Sequence, residues 1–173
     1  MDGPKGRFIT LLCTMKSDEL EQELESAFPF VDKPKGIDLS FHKDDCLHCQ
    51  YLRNDLDSYA DQHLSKDGIR ELYNDMSCLS ASGWYWVFPS YLRLCLNQEA
   101  SLFSNETEYL IYNLAPESKY KEETKQRLSA FNKPQLKCIL HFIIWWQQNE
   151  HWQQYFGSEL EQAKSFISEL INA

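Results

Sequence analysis

The sequence predicts an all-α protein: a single compact multi-helix domain around a kinked aromatic central helix and a long C-terminal core helix. Three observations carry this. Apolar residues recur at three- and four-residue steps along nearly the whole chain, which is the helical period. Six glycines and six prolines in 173 residues are few for a turn-rich sheet protein. The stretch Ser80–Asn97, SASGWYWVFPSYLRLCLN, places Trp84, Tyr85, Trp86, Phe88 and Tyr91 within eight positions. Aromatic side chains bring the largest buried area per residue, so this stretch nucleates a core. Ala81, Trp84, Tyr85, Phe88, Leu92, Cys95 and Leu96 lie at helical steps, and Trp86, Val87 and Leu94 make the other side apolar too. A helix apolar all round is a buried helix. Pro89 removes a backbone donor and crowds the carbonyl of Tyr85, so the helix is expected to kink or divide there. The competing reading is a buried strand, WYWVF, leading into a helix with Pro89 in its first turn.

Met1–Lys16 matches poorly with the rest of the chain and is expected to be a loosely held N-terminal extension, the fold beginning near Met15. Residues 17–173 form the expected single domain, long enough to bury a sizeable core. Ser17 or Asp18 caps a helix to about Ala27, with Leu20, Leu24 and Phe28 on one face and Pro29 ending it. Phe30–Phe41 contains Pro34 and Gly36 and reads as a loop. Asp44 or Asp45 caps a helix to about Tyr59, with Cys49, Leu52 and Leu56 inside. A short helix from Lys66 or Asp67 to Met76 carries Ile69, Leu72 and Tyr73. Ser104 or Asn105 starts a helix to about Leu114, which Pro116 closes. Lys119–Phe131 is charged and anchored by Leu128 and Phe131. Asn132 caps the long helix from Lys133, with Pro134 in its first turn. Leu136, Ile139, Leu140, Ile143 and Trp146 line one face of it. Ser158 and Glu161 form an S-x-x-E capping box for a last helix with Leu160, Ile167, Leu170 and Ile171. Trp84, Phe88, Leu92, Ile139 and Ile143 are expected to share one core.

A hydrophobic content of 43% with 14% aromatic residues excludes a disordered chain. The net charge of −9 is unevenly placed: residues 17–61 hold twelve acids and four bases, residues 62–173 thirteen and ten. An acidic front excludes nucleic acid as a partner, because that binding needs a basic footprint. It fits a protein partner with a basic surface. The plainer alternative is a solvated acidic surface that only aids solubility. If a partner binds, the expected contacts are Glu21 and Glu25, four apart on the first helix, with Asp44, Asp45 and Asp55 on the second. No apolar run reaches membrane-spanning length, so no membrane role is expected. The six cysteines, at 13, 46, 49, 78, 95 and 138, lack framework spacing. The chain therefore reads as cytoplasmic and reduced.

One compact cluster could carry chemistry: F-H-K-D-D-C-L-H-C at 41–49. Cys46 and Cys49, three apart in a helix's first turn, share a face. A helix N-terminus stabilises thiolate. With His42 reaching in from the preceding loop they form a candidate metal set, and zinc is the ion it suits. Zinc needs a fourth ligand, which must come from far away: His63 or Cys78. His48 points roughly the opposite way from Cys46. A single C-x-x-C equally suits thiol redox chemistry or the packing of small buried thiols. No other cofactor is indicated. His141 reads as a hydrogen-bonded core or boundary residue, and His151 as favouring a helix C-terminus. Trp145, Trp146, Trp152, Tyr155 and Phe156 read as packing material, with a partly exposed partner patch as the alternative. The chain has no G-x-S-x-G, phosphate loop or H-E-x-x-H, so a non-enzymatic protein is expected.

The segments D-D-C-L-H-C-Q-Y-L at 44–52 and W-Y-W-V-F-P-S-Y-L at 84–92, with the later helix 134–146, resemble a known family. It is a widespread family of small bacterial proteins classed as a domain of unknown function. The resemblance covers about Leu20 to Gln148 and leaves the last helix as an extension. It implies an α-helical, bacterial, cytoplasmic protein and transfers no activity. The favoured expectation is a non-enzymatic protein-binding module, most concretely a bacterial immunity or inhibitor protein that neutralises a toxin by direct binding. Its rivals are a metal-binding or thiol-redox module on Cys46 and Cys49, and an enzyme without a recognised motif.

Overall fold

The computed structural model describes residues 16–60, 62–97 and 105–173. The expected extension up to Met15, with Cys13, and the helix start at Ser104 lie outside the described residues. Among those described there are eight α-helices: α1 (Ser17–Ala27), α2 (Leu47–Asp55), α3 (Lys66–Leu72), α4 (Ala81–Asn97), α5 (Asn105–Leu114), α6 (Lys121–Leu128), α7 (Lys133–Gln147) and α8 (Glu150–Asn172). Short 3-10 turns span Gly36–Leu39, Tyr73–Cys78 and Ser118–Tyr120. No strand occurs among the described residues, and WYWVF is helical. One isolated antiparallel bridge joins Ser40 to Leu79. No helix among the described residues is long and apolar enough to cross a membrane.

The aromatic helix is the hub. Trp84, Trp86, Phe88, Tyr91 and Leu92 of α4 are buried, and Ile139 and Ile143 of α7 belong to the same core. Phe88 stands 5.0 Å from Trp84 and 4.8 Å from Phe131, ring to ring. Phe28 of the α1 end closes the cluster, 5.6 Å from Phe131. Three polar side chains of α4 that enter this core are satisfied, as burial requires. Trp84 Nε1 donates to the Met76 carbonyl at 2.9 Å, and Tyr91 Oη to that of Glu106 at 2.7 Å. Ser90 Oγ accepts from the Leu64 amide at 3.0 Å. Around this hub α1 packs on α4 and α7, α6 on α4, and α8 on α7 and α5.

Several expectations are corrected. α4 is not split at Pro89 but runs through it as one helix. An interior proline costs about 3 kcal/mol; burial of residues 86–92 on every side holds the helix together. Lys16, not Ser17 or Asp18, is the α1 N-cap, and no side chain caps it. α2 starts at Leu47 with Cys46 as N-cap, because the Asp44 carboxylate is taken by Arg53 at 3.1 Å. It ends at Asp55 rather than Tyr59, and Lys33 Nζ satisfies the Leu56 carbonyl just beyond that end. The last helix begins at Glu150, capped by Asn149 through the amides of His151 and Trp152, so Ser158 caps nothing and pairs with Glu159. The non-helical Phe156 (φ −131°, ψ 21°) bends α8 just before the expected start. His151 consequently lies in the first turn of α8, not at a C-terminus. Asn132 caps α7 with Pro134 in the first turn, as expected, and Gln135 completes a capping box there.

Candidate functional site

The His42–Cys49 segment is held by its neighbours on both sides. The Phe41 amide donates to the Cys78 carbonyl at 2.7 Å, and the Ser80 amide to the Leu39 carbonyl at 3.0 Å. These two bonds flank the Ser40–Leu79 bridge. Ser40 Oγ donates to the His42 carbonyl at 2.9 Å and accepts from Arg53 Nη1 at 2.6 Å. Gln50 Nε2 donates to the Asp44 carbonyl. The loop therefore has a fixed shape before any ligand arrives.

His42, Cys46 and Cys49 come together: one ligand atom from each lies within 4.8 Å of the others. Cys49 Sγ stands 3.8 Å from His42 Nδ1 and 3.7 Å from the Cys78 carbonyl oxygen. Cys49 is buried, Cys46 and Cys78 half-buried, and His42 exposed. The environments of the three thiols differ. The backbone N–H of Cys49, and then its thiol, hold the Cys46 thiol below its ordinary range. Burial pushes the Cys49 thiol up. Burial, then the neighbouring Cys49, pushes Cys78 up to about 12. His63, the other distant ligand considered, packs its ring on Phe30 instead, 5.1 Å away. Cys95 and Cys138 lie in the core, as their helical patterns indicate.

The same loop borders a cavity of about 730 Å³. His42, Cys46, His48 and Cys78 form one wall. The rest of the lining comes from α5, α6, α8 and the 3-10 turn before α6, with Tyr112, Tyr120 and Arg127. Four carboxylates line it: Asp75, Glu117, Glu123 and Glu159. Against them stands Arg127, which is already engaged. It pairs with Glu123 at 3.3 Å and lies 4.3 Å over the Phe41 ring. Burial, then Glu108 and Glu159, raises the Tyr112 hydroxyl above its ordinary range. At the rim, Lys119 sits 3.4 Å from Glu117 and 4.5 Å over the Tyr120 ring.

The acidic residues expected to meet a partner are all exposed, but they are not equally free. Glu25 is bound by Arg93 at 2.8 Å, and that hydrogen bond holds its carboxyl below the ordinary range. Asp44 is bound by Arg53. Glu21, Asp45 and Asp55 face solvent. α2 also exposes Leu47 and Tyr51, at 62% and 60%, one turn apart. The cavity carboxylates were missed in the sequence because they come from positions 75, 117, 123 and 159, which no single element holds. Of the late aromatic cluster, Trp146 and Trp152 are buried and Tyr155 is exposed. His141 is half-buried, with Nδ1 2.7 Å from Glu23, which fits a boundary histidine.

A family model described as a family of unknown function, DUF6714, matches residues 16–166. The match reaches well into α8, so that helix is largely part of the family's extent rather than an extension. No curated protein and no solved structure matches the chain.

Proposed function

The chain belongs to the DUF6714 family, whose function is unknown, and we propose that it is a protein-binding module that receives a basic segment of its partner in the cavity between α2 and the helices α5, α6 and α8. The observation that carries this is the charge of the cavity wall. Asp75, Glu117, Glu123 and Glu159 line a space of about 730 Å³, and with Glu123 paired to Arg127 and Glu117 to Lys119 at the rim the wall still stays net negative through Asp75 and Glu159. Carboxylates converging on a half-enclosed space attract cations more strongly than the same charges spread on a surface, because low-dielectric walls focus the field. Tyr112 and Tyr120 offer ring faces to an ammonium or guanidinium group. Lys119 already makes that contact at the rim. The exposed Leu47 and Tyr51 beside Asp44, Asp45 and Asp55 extend the surface along α2, with apolar anchors inside an acidic border. An inhibitor of the immunity-protein kind, covering a toxin's basic active surface, is the most concrete form of this function.

The test uses a fluorescent lysine-rich peptide and anisotropy at low and physiological salt. Glu117→Lys with Glu159→Lys should weaken binding roughly tenfold or more at low salt and flatten the salt dependence. Glu21→Lys with Glu25→Lys, which makes the same change of charge away from the cavity, should have little effect. Equal loss in both pairs would reduce the binding to diffuse attraction. Loss in the second pair alone would move the docking surface to α1.

A further inference from the structure

We infer that His42, Cys46, Cys49 and Cys78 bind one divalent ion of the zinc class as a closed tetrahedral site that ties α2 to the 3-10 turn before α4. The first support is distance. Metal–ligand bonds of about 2.0 Å to nitrogen and 2.3 Å to sulfur set the edges of a zinc tetrahedron at roughly 3.3–3.8 Å. The Cys49 Sγ to His42 Nδ1 separation is 3.8 Å, and the three atoms of His42, Cys46 and Cys49 lie within 4.8 Å of one another. Little more than side-chain rotation separates this from coordination.

The second support is the fourth ligand. Phe41 is hydrogen-bonded to the Cys78 carbonyl, so the backbone that carries Cys78 runs directly beside the one that carries His42. Cys49 Sγ stands 3.7 Å from the Cys78 carbonyl oxygen, so the residue that supplies the fourth thiol adjoins the other three. Two neighbouring backbone bonds and the Ser40–Arg53 contact keep this register. The four ligands therefore come from three places: a loop, the first turn of a helix and a 3-10 turn. The donor set selects the metal. Three thiolates with one imidazole are soft, tetrahedral-favouring ligands that suit zinc rather than magnesium or calcium. Three thiolates and a neutral imidazole around Zn²⁺ leave a net charge of −1.

Full-length protein, reduced and stripped with a chelator, is titrated with Co²⁺ and then Zn²⁺. One equivalent of cobalt should bind, with thiolate-to-metal charge-transfer absorption and tetrahedral ligand-field bands, and one equivalent of zinc should displace it. Cys49→Ser should weaken cobalt affinity about 100-fold or more. Cys78→Ser should lower the charge-transfer intensity per bound cobalt by about a third, since three thiolates become two. His48→Ala and His63→Ala should change neither. Cobalt uptake below about a tenth of an equivalent in the wild type overturns the site. Unchanged intensity in Cys78→Ser overturns the closed geometry, and a loss in His63→Ala replaces the fourth ligand. Circular dichroism checks that each variant is folded. Should a variant unfold, alkylation of the wild type decides: zinc should slow modification of Cys46, Cys49 and Cys78 by about tenfold or more, and equal rates with and without zinc overturn the proposal.

Discussion

Replacing Gly83 by alanine would place a Cβ 2.5 Å from the backbone oxygen of Leu39. Ordinary van der Waals contact begins near 3.4 Å, so one of the two backbones must move by about 0.9 Å. Neither can rotate away, because the obstacle is a main-chain atom. The same oxygen accepts the Ser80 amide at 3.0 Å, and Ser80 Oγ in turn accepts the Gly83 amide at 3.0 Å. The displacement therefore strains the start of α4 and the base of the His42 loop together. Overpacking of this kind costs about 1–3 kcal/mol, and a lost hydrogen bond adds about 1 kcal/mol. Alanine's helix propensity offsets at most about 1 kcal/mol. The net expectation is a loss of about 1–3 kcal/mol, read by urea unfolding with an unchanged m-value. Gly157→Ala is the control. Its Cβ meets only Gln153, with Nε2 at 2.9 Å, the far end of a flexible exposed side chain. That substitution should raise stability by about 0.5–1 kcal/mol. A Gly83→Ala protein at least as stable as the wild type would refute the reasoning.

Three further outcomes are expected. Ser90→Ala removes the acceptor of the buried Leu64 amide and should cost about 1–3 kcal/mol; equal midpoints in urea would show that the amide finds another partner. Burial pushes the Cys95 and Cys138 thiols up to about 12, so iodoacetamide at mildly alkaline pH should modify Cys46 well before either in the native metal-free protein, and peptide mapping would reveal the opposite order. Lys121, then Lys125, holds the Glu169 carboxyl below its ordinary range. The stabilisation this gives is present above the ordinary carboxylate pKa and is lost as pH falls through the lowered one. Glu169→Gln should thus lower Tm slightly at neutral pH and hardly at all near pH ~2, below the carboxylate range; an equal difference at both pH values would contradict the linkage.

What was legible in the sequence was what depends on local chemistry. The α4 and α7 stretches are apolar over so many helical steps that burial results whatever they pack against. Asn132 and Pro134 signal a helix start through groups only two residues apart, and the structure forms that start. The same logic failed at Ser158 because an S-x-x-E pattern also occurs inside a helix when residues upstream are already helical. Here Asn149 supplies the cap earlier, and the boundary is reduced to the bend at Phe156. Asp44 and Asp45 were reasonable caps for α2, but capping competes with other partners, and Arg53 claims the Asp44 carboxylate. The gathering of Asp75, Glu117, Glu123 and Glu159 around one cavity was illegible. No periodicity relates positions so far apart; the packing of α5 on the 73–78 turn, of α8 on α5 and of α6 on α4 brings them together.

The bridge between Ser40 and Leu79 closes a loop of roughly 40 residues. In a disordered chain, holding two such points together costs about 3 kcal/mol of entropy. Two backbone hydrogen bonds at the base cannot meet that cost alone. Leu52, Leu56, Leu64, Ile69, Leu72 and Met76, all within the loop and all buried, offset it when they join the core. The loop's base thus closes only as those side chains desolvate, and the backbone beside His42 meets that of Cys78 only in the folded chain. Any ion that bridges them draws on the stability of the whole fold, and strengthens it by the same linkage.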